Sequence, residues 1–120
     1  MTQEEILEYN KLCAEFLNLH RDEEVAIYKF TAYPYDFLKF HSDWNWIHEV
    51  VEAICKLGFR KYSYSHEEHS RCVFTDLSII FQNHSFGGGN IVSDSGKIVS
   101  EKEAVVQAIN QFLIWYNENN

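Results

Sequence analysis

Apolar residues recur at helical spacing near both ends of the chain, and each of these stretches begins with the same capping motif. Thr2 and Glu5 form a capping box, in which each side chain bonds the other residue's free backbone N–H, and a helix is predicted over about 3–18. Ser100 and Glu103 repeat the box before the last helix. Its apolar face is predicted to hold Val105, Ala108, Ile109, Phe112 and Tyr116.

A further helix is predicted over about 43–57. Ser42 or Asp43 can cap its start, and Gly58 stands where a left-handed residue ends a helix. Its polar positions form one narrow stripe, so its broad apolar face is expected to lie against a sheet.

Four stretches have the composition or alternation of strands. These are 25–33, 59–66, 71–83 and a small hairpin that pairs 91–92 with 97–99. Because 71–83 carries apolar residues on both faces, it is predicted to be a central strand.

The element order is therefore α-β-α-β-β-(β-β)-α, without a linker or internal repeat. It predicts a single α+β domain over 1–120. We expect a helix–sheet–helix layered sandwich, with three helices on a mostly antiparallel sheet of three to five strands.

Composition narrows the range of partners. The 120 residues include 9 Phe, 7 Tyr and 3 Trp, and the net charge is −8. An acidic chain without clustered Lys and Arg is a poor candidate for nucleic acid or anionic membranes, so neither is expected as a partner. The start of the chain does not resemble a signal peptide, and the apolar runs are short for a membrane span.

The chain has three widely separated cysteines, Cys13, Cys55 and Cys72. An odd number at such spacing favours reduced thiols in a cytoplasmic protein over a disulfide framework or a zinc site. Cys13 and Cys55 lie in apolar helical stretches, and both are predicted to be small buried hydrophobic residues.

The polar candidates favour no catalytic, metal or cofactor site. His66 and His69 flank two glutamates but lack a recognised ligand spacing, and His48 with Glu52 fits an ordinary exposed helix pair. The three glycines 87–89 lack the Lys-Ser/Thr of a phosphate loop and predict a plain loop.

The aromatic residues are more informative. Tyr62 and Tyr64 alternate with serines and project from one strand face, where either core packing or recognition is possible. Trp44 and Trp46 fit the core better, since they lie in an apolar helix. Ile114 falls off the apolar face of the last helix and is expected to be exposed. Tyr62, Tyr64 and Ile114 are therefore the candidate interaction surface.

Two blocks of the sequence resemble a known group. They are HSDWNWIHEVVEAICKLG at 41–58 and EAVVQAINQFLIWYNE at 103–118, 34 of the 120 residues. They are similar to small uncharacterised proteins of phages and prophages in gut bacteria, described as phage ABA-sandwich domains. The resemblance implies a helix–sheet–helix sandwich, a phage or prophage origin within a bacterial cell, and no assigned catalytic residue.

The leading hypothesis is a phage or prophage accessory protein that acts as a non-enzymatic interaction module. Its partner would be a host or phage protein, with a second copy of the chain as another option. The alternative is a small-ligand or nucleotide-binding protein with an aromatic pocket near 87–89. A third hypothesis is a small hydrolase that uses His66 and His69, or His48 and Glu52.

Overall fold

The described part of the chain contains two helices, then three strands of one antiparallel sheet, and then a third helix. A computed structural model describes residues 1–20, 38–65, 68–76 and 90–119. Its elements are α1 (Gln3–His20), α2 (Trp44–Lys56), β1 (Phe59–Ser65), β2 (Ser70–Asp76), β3 (Asn90–Asp94) and α3 (Glu101–Asn119). These three helices and this antiparallel sheet confirm the α+β class. The predicted strand at 25–33, the second half of 71–83 and the loop 87–89 lie outside the described residues.

The helices begin where their caps were predicted. The Oγ1 of Thr2 accepts the Glu5 N–H at 3.2 Å, and Glu5 Oε1 accepts the Thr2 N–H at 3.1 Å. The bond from the Thr2 N–H, together with the Thr2 hydroxyl, holds the pKa of the Glu5 carboxyl below its usual range. Ser100 Oγ accepts the Glu103 N–H at 3.4 Å at the start of α3. Local side-chain chemistry therefore sets these two boundaries.

Helix α2 is bounded in the same way. Asp43 Oδ1 accepts the Asn45 N–H at 2.8 Å, so Asp43 is a capping residue. Gly58 has φ 103°, the left-handed conformation that a glycine adopts with the least strain at a helix C-terminus. The prediction that α2 covers a sheet stays a prediction.

By contact the chain divides into two compact units, Met1–Ala53 and Ile54–Asn120. In the first unit, α1 is tied to the segment before α2. The hydroxyl of Tyr9 donates to the Phe40 carbonyl at 3.1 Å, and Asn10 Nδ2 donates to the Leu38 carbonyl at 3.1 Å. Trp46 packs edge-on against Phe40 with 5.0 Å between ring centroids. The single-domain assignment stays a prediction.

The two tryptophans of α2 are less buried than predicted. Trp44 and Trp46 are both partly exposed, whereas Ile47 and Val50 are fully buried. Helical positions four apart share a face, so Trp46 and Val50 lie on the same side of α2, yet only Val50 is fully buried.

In the second unit the sheet order is β1-β2-β3, and both pairings are antiparallel. The central position of β2 is confirmed. The predicted hairpin is corrected, because 91–92 lies in β3, paired with β2, and Ile98 forms its own bridge with Ser70 of β2. Ser95, which follows β3, is hydrogen-bonded to Cys72 of β2. Its N–H donates to the Cys72 carbonyl at 2.9 Å, and its hydroxyl accepts the Cys72 N–H at 2.9 Å. The run from β3 to Ile98 therefore follows β2 instead of folding back on itself.

Helix α3 packs on one face of this sheet. Phe112 is fully buried, with its ring centroid 4.8 Å from that of Phe59 and 5.7 Å from that of Phe74. Gln111 Oε1 also accepts the Asp94 N–H at 3.1 Å, which joins the helix to the outer strand β3. The buried residues of α3 are Ala104, Val105, Val106, Ala108, Ile109, Phe112 and Leu113. The predicted apolar face is thus confirmed, with Tyr116 half-buried at its end.

The cysteines divide into buried and exposed sites. Cys13 is buried as predicted, and burial raises the pKa of its thiol, while burial of Cys72 raises its pKa to about 12. The prediction for Cys55 is wrong, because it is exposed on α2. Cys55 lies three residues after Glu52 and seven after His48, both of which are exposed, so helical spacing puts it on the polar side of α2.

Candidate functional site: a tyrosine-lined pocket

The sheet face opposite α3 carries the two tyrosines that the sequence singled out. In the antiparallel register Tyr62 lies opposite Val73, and Tyr64 lies opposite Arg71. Side chains alternate along a strand, so these four project from one face, while Phe59 and Phe74 project towards α3. The sequence predicted that the tyrosines share a face, and only the register reveals their neighbours.

These residues enclose a pocket of about 210 Å³, lined by Tyr62, Ser63, Tyr64, Arg71 and Val73. Tyr64 is 43% exposed and Tyr62 is half-buried, so both rings are accessible from solvent. The pocket surface is mainly apolar, and Arg71 is the charged residue among those that line it. Such a surface buries apolar area and still offers polar tips for hydrogen bonds.

Arg71, which lines the pocket, is paired with Asp94 of β3. Its Nε donates to Asp94 Oδ1 at 2.9 Å, and its Nη2 donates to Asp94 Oδ2. Asp94 Oδ1 also accepts the Gly96 N–H at 2.9 Å. The bond from Arg71, aided by that from Gly96, holds the pKa of the Asp94 carboxyl below its usual range, and the pKa of Arg71 is raised in turn. The pair is ionised throughout the physiological range and contributes no net charge.

Sequence reasoning missed Arg71, Val73 and Asp94 as parts of this site. Arg71 and Asp94 lie on different strands, 23 residues apart. The alternation along β2 predicts that Arg71 and Val73 share a face, but it does not predict which residues of β1 and β3 lie beside them. Cross-strand pairs depend on register, which the sequence of one strand does not specify.

Ile114 lies elsewhere. It is 45% exposed on α3, as expected, but it does not line the pocket. Because α3 packs on the other face of the sheet, the structure brings Tyr62 and Tyr64 together and leaves Ile114 on a separate surface.

The remaining candidates have simpler surroundings. His48 and Glu52 are exposed on α2, and the His48 ring lies against Trp44 with 5.5 Å between centroids. The His69 ring lies 6.0 Å from that of Tyr64, while His66 lies outside the described residues. Among the residues that the structure describes, no three His, Cys, Asp or Glu side chains are grouped to hold a metal ion.

No helix within the described ranges has the length and apolar character needed to cross a membrane. Comparison with protein-family models, with curated proteins and with solved structures finds no match to this chain.

Proposed function

We propose that this chain is a non-enzymatic interaction module, an accessory protein of a phage or prophage that contacts a host or phage protein through the Tyr62–Tyr64 pocket. The observation that carries the proposal is the size and lining of that pocket. Pockets for small molecules and cofactors usually measure about 300–1,000 Å³. A space of about 210 Å³ is smaller than this range and suits one large side chain of a partner.

The chemistry of the pocket supports the same proposal. Tyr and Arg are the residue types most often found at the energetic centres of protein interfaces, since they combine large contact area with directed hydrogen bonds. Arg71 is already fixed by Asp94, so ordering it on binding costs little conformational entropy.

A random peptide library selected on the immobilised protein tests this proposal, because the selection does not require the partner to be identified first. Selected peptides are expected to bind the parent protein and to lose at least about tenfold in affinity with Tyr62→Ala or Tyr64→Ala, the usual size of an aromatic hot spot. Val99→Ala is the matched control, because Val99 is 84% exposed and lies outside the pocket.

Two results would contradict the proposal. One is a library that yields no binder. The other is a set of binders whose affinity does not change when either tyrosine is truncated.

A further inference from the structure

Strand β1 is basic within an acidic protein. Arg60 and Lys61 lie on it and Phe59–Ser65 contains no Asp or Glu, whereas the whole chain has a net charge of −8. By strand alternation Arg60 projects from the same face as Tyr62 and Tyr64. It is exposed and makes no ion pair with any described residue.

The range of electrostatic forces decides whether this local charge or the total charge governs a contact. At physiological salt, charges in water are screened beyond about 8 Å. A partner group in contact with Arg60 is therefore affected mainly by the charge of Arg60, and little by the more distant acidic residues of the protein. Arg71 is neutralised by Asp94, so in the described part of this sheet face Arg60 is the cation whose charge is not offset.

The spacing along β1 adds a geometric constraint. Arg60 and Tyr62 are two residues apart, which is about 6.5–7 Å in a strand. An extended partner segment has the same repeat, so two of its side chains, two residues apart, can reach both groups at once.

We propose that the pocket docks an extended acidic segment of a partner protein. Its Leu- or Phe-sized side chain fills the space between Tyr62, Tyr64 and Val73, and an Asp or Glu two residues away pairs with Arg60. This inference rests on the proposed function and specifies the chemical class of the partner.

Short fluorescein-labelled peptides with Gly and Ser flanks test the inference by fluorescence anisotropy. One pool has Leu or Phe with Asp or Glu two residues away. In the second pool Lys replaces the acid, and in the third Ala replaces the apolar residue. The acidic apolar pool is expected to bind about tenfold more tightly than either of the others, as hydrogen bonds to charged groups are among the stronger polar contacts. Raising the salt should weaken its binding.

Arg60→Glu is expected to abolish the preference for acid over Lys. Lys97→Glu makes the same change of charge at another exposed site and should preserve the preference. Circular dichroism of both variants establishes that each remains folded.

Equal binding of the acidic and basic pools would overturn the acidic class, as would the absence of binding by all three pools. The library selection reports separately on the proposed function. Binders that depend on Tyr62 but carry no acid would overturn this inference and leave the interaction module in place.

Discussion

The two faces of the β1-β2-β3 sheet are built from alternate residues of the same strands, yet they have opposite character. On one face Phe59 and Phe74 close around the fully buried Phe112 of α3. On the other, Tyr62 and Tyr64 line an open pocket together with Arg71 and Val73. Since neighbouring positions share one backbone, the contrast comes from their alternating side chains and from α3, which covers the phenylalanine face and leaves the tyrosine face open.

The largest difference between the faces should appear on truncation of Phe112. Phe112→Ala leaves a cavity among Phe59, Phe74 and Tyr116 and is expected to lower the free energy of unfolding by about 3–5 kcal/mol. Urea unfolding followed by circular dichroism measures the change. Ile114→Ala, two positions along the same helix and 45% exposed, is the control and should cost about 0.5 kcal/mol or less.

The ion pair on the open face should show a smaller, pH-dependent effect. The folded-state pKa of Asp94 lies below its unfolded value, so its contribution is present above the unfolded pKa of about 3.9. This contribution is lost as the pH falls through the folded pKa. At neutral pH Asp94→Asn is expected to cost about 1 kcal/mol, the upper end for partly exposed pairs. The stabilities of parent and variant should converge below about pH 4. A constant difference from neutral to acid pH, in urea titrations, would assign the effect to packing instead.

The contact between Gln111 and β3 tests whether α3 also fixes the edge of the sheet. Gln111→Ala removes the acceptor of the Asp94 N–H and is expected to cost about 0.5–1.5 kcal/mol. Hydrogen exchange should show faster exchange of the Asp94 amide, with the β1–β2 amides unchanged. Uniformly faster exchange across the sheet would mean that the helix as a whole had loosened.

Only a small effect on stability is expected at the pocket itself. Tyr64→Ala should change the free energy of unfolding by less than about 1 kcal/mol, because an exposed cross-strand pair contributes only about 0.2–1 kcal/mol. Thermal unfolding compares it with Phe112→Ala. If the two truncations were equally damaging, the open face would be part of the core, and the contrast between the faces would fail.

Local signals were sufficient for several helix boundaries. The helix ends are set by capping residues that bond only to neighbours in the sequence: Thr2 with Glu5, Asp43, and Gly58. Their capping roles therefore follow from the sequence independently of the rest of the fold. The same reasoning failed at 97–99, where a turn-like stretch of Ser, Asp and Gly suggested a hairpin. There the carbonyl and N–H of Ser70 and Cys72 on β2 supply the bonding partners, and these residues lie well outside any local window.

The sequence by itself determined the helices, the central strand and the common face of Tyr62 and Tyr64, because periodicity of 3.6 or 2 residues is a local property. Only the tertiary structure decided what stands beside those tyrosines. Val73 and the Arg71–Asp94 pair reach the pocket through strand register, and register is set by the packing of whole strands against one another and against α3. The exposure of Trp46 was also decided at this level, because it lies one helical turn before the fully buried Val50 and is itself partly exposed.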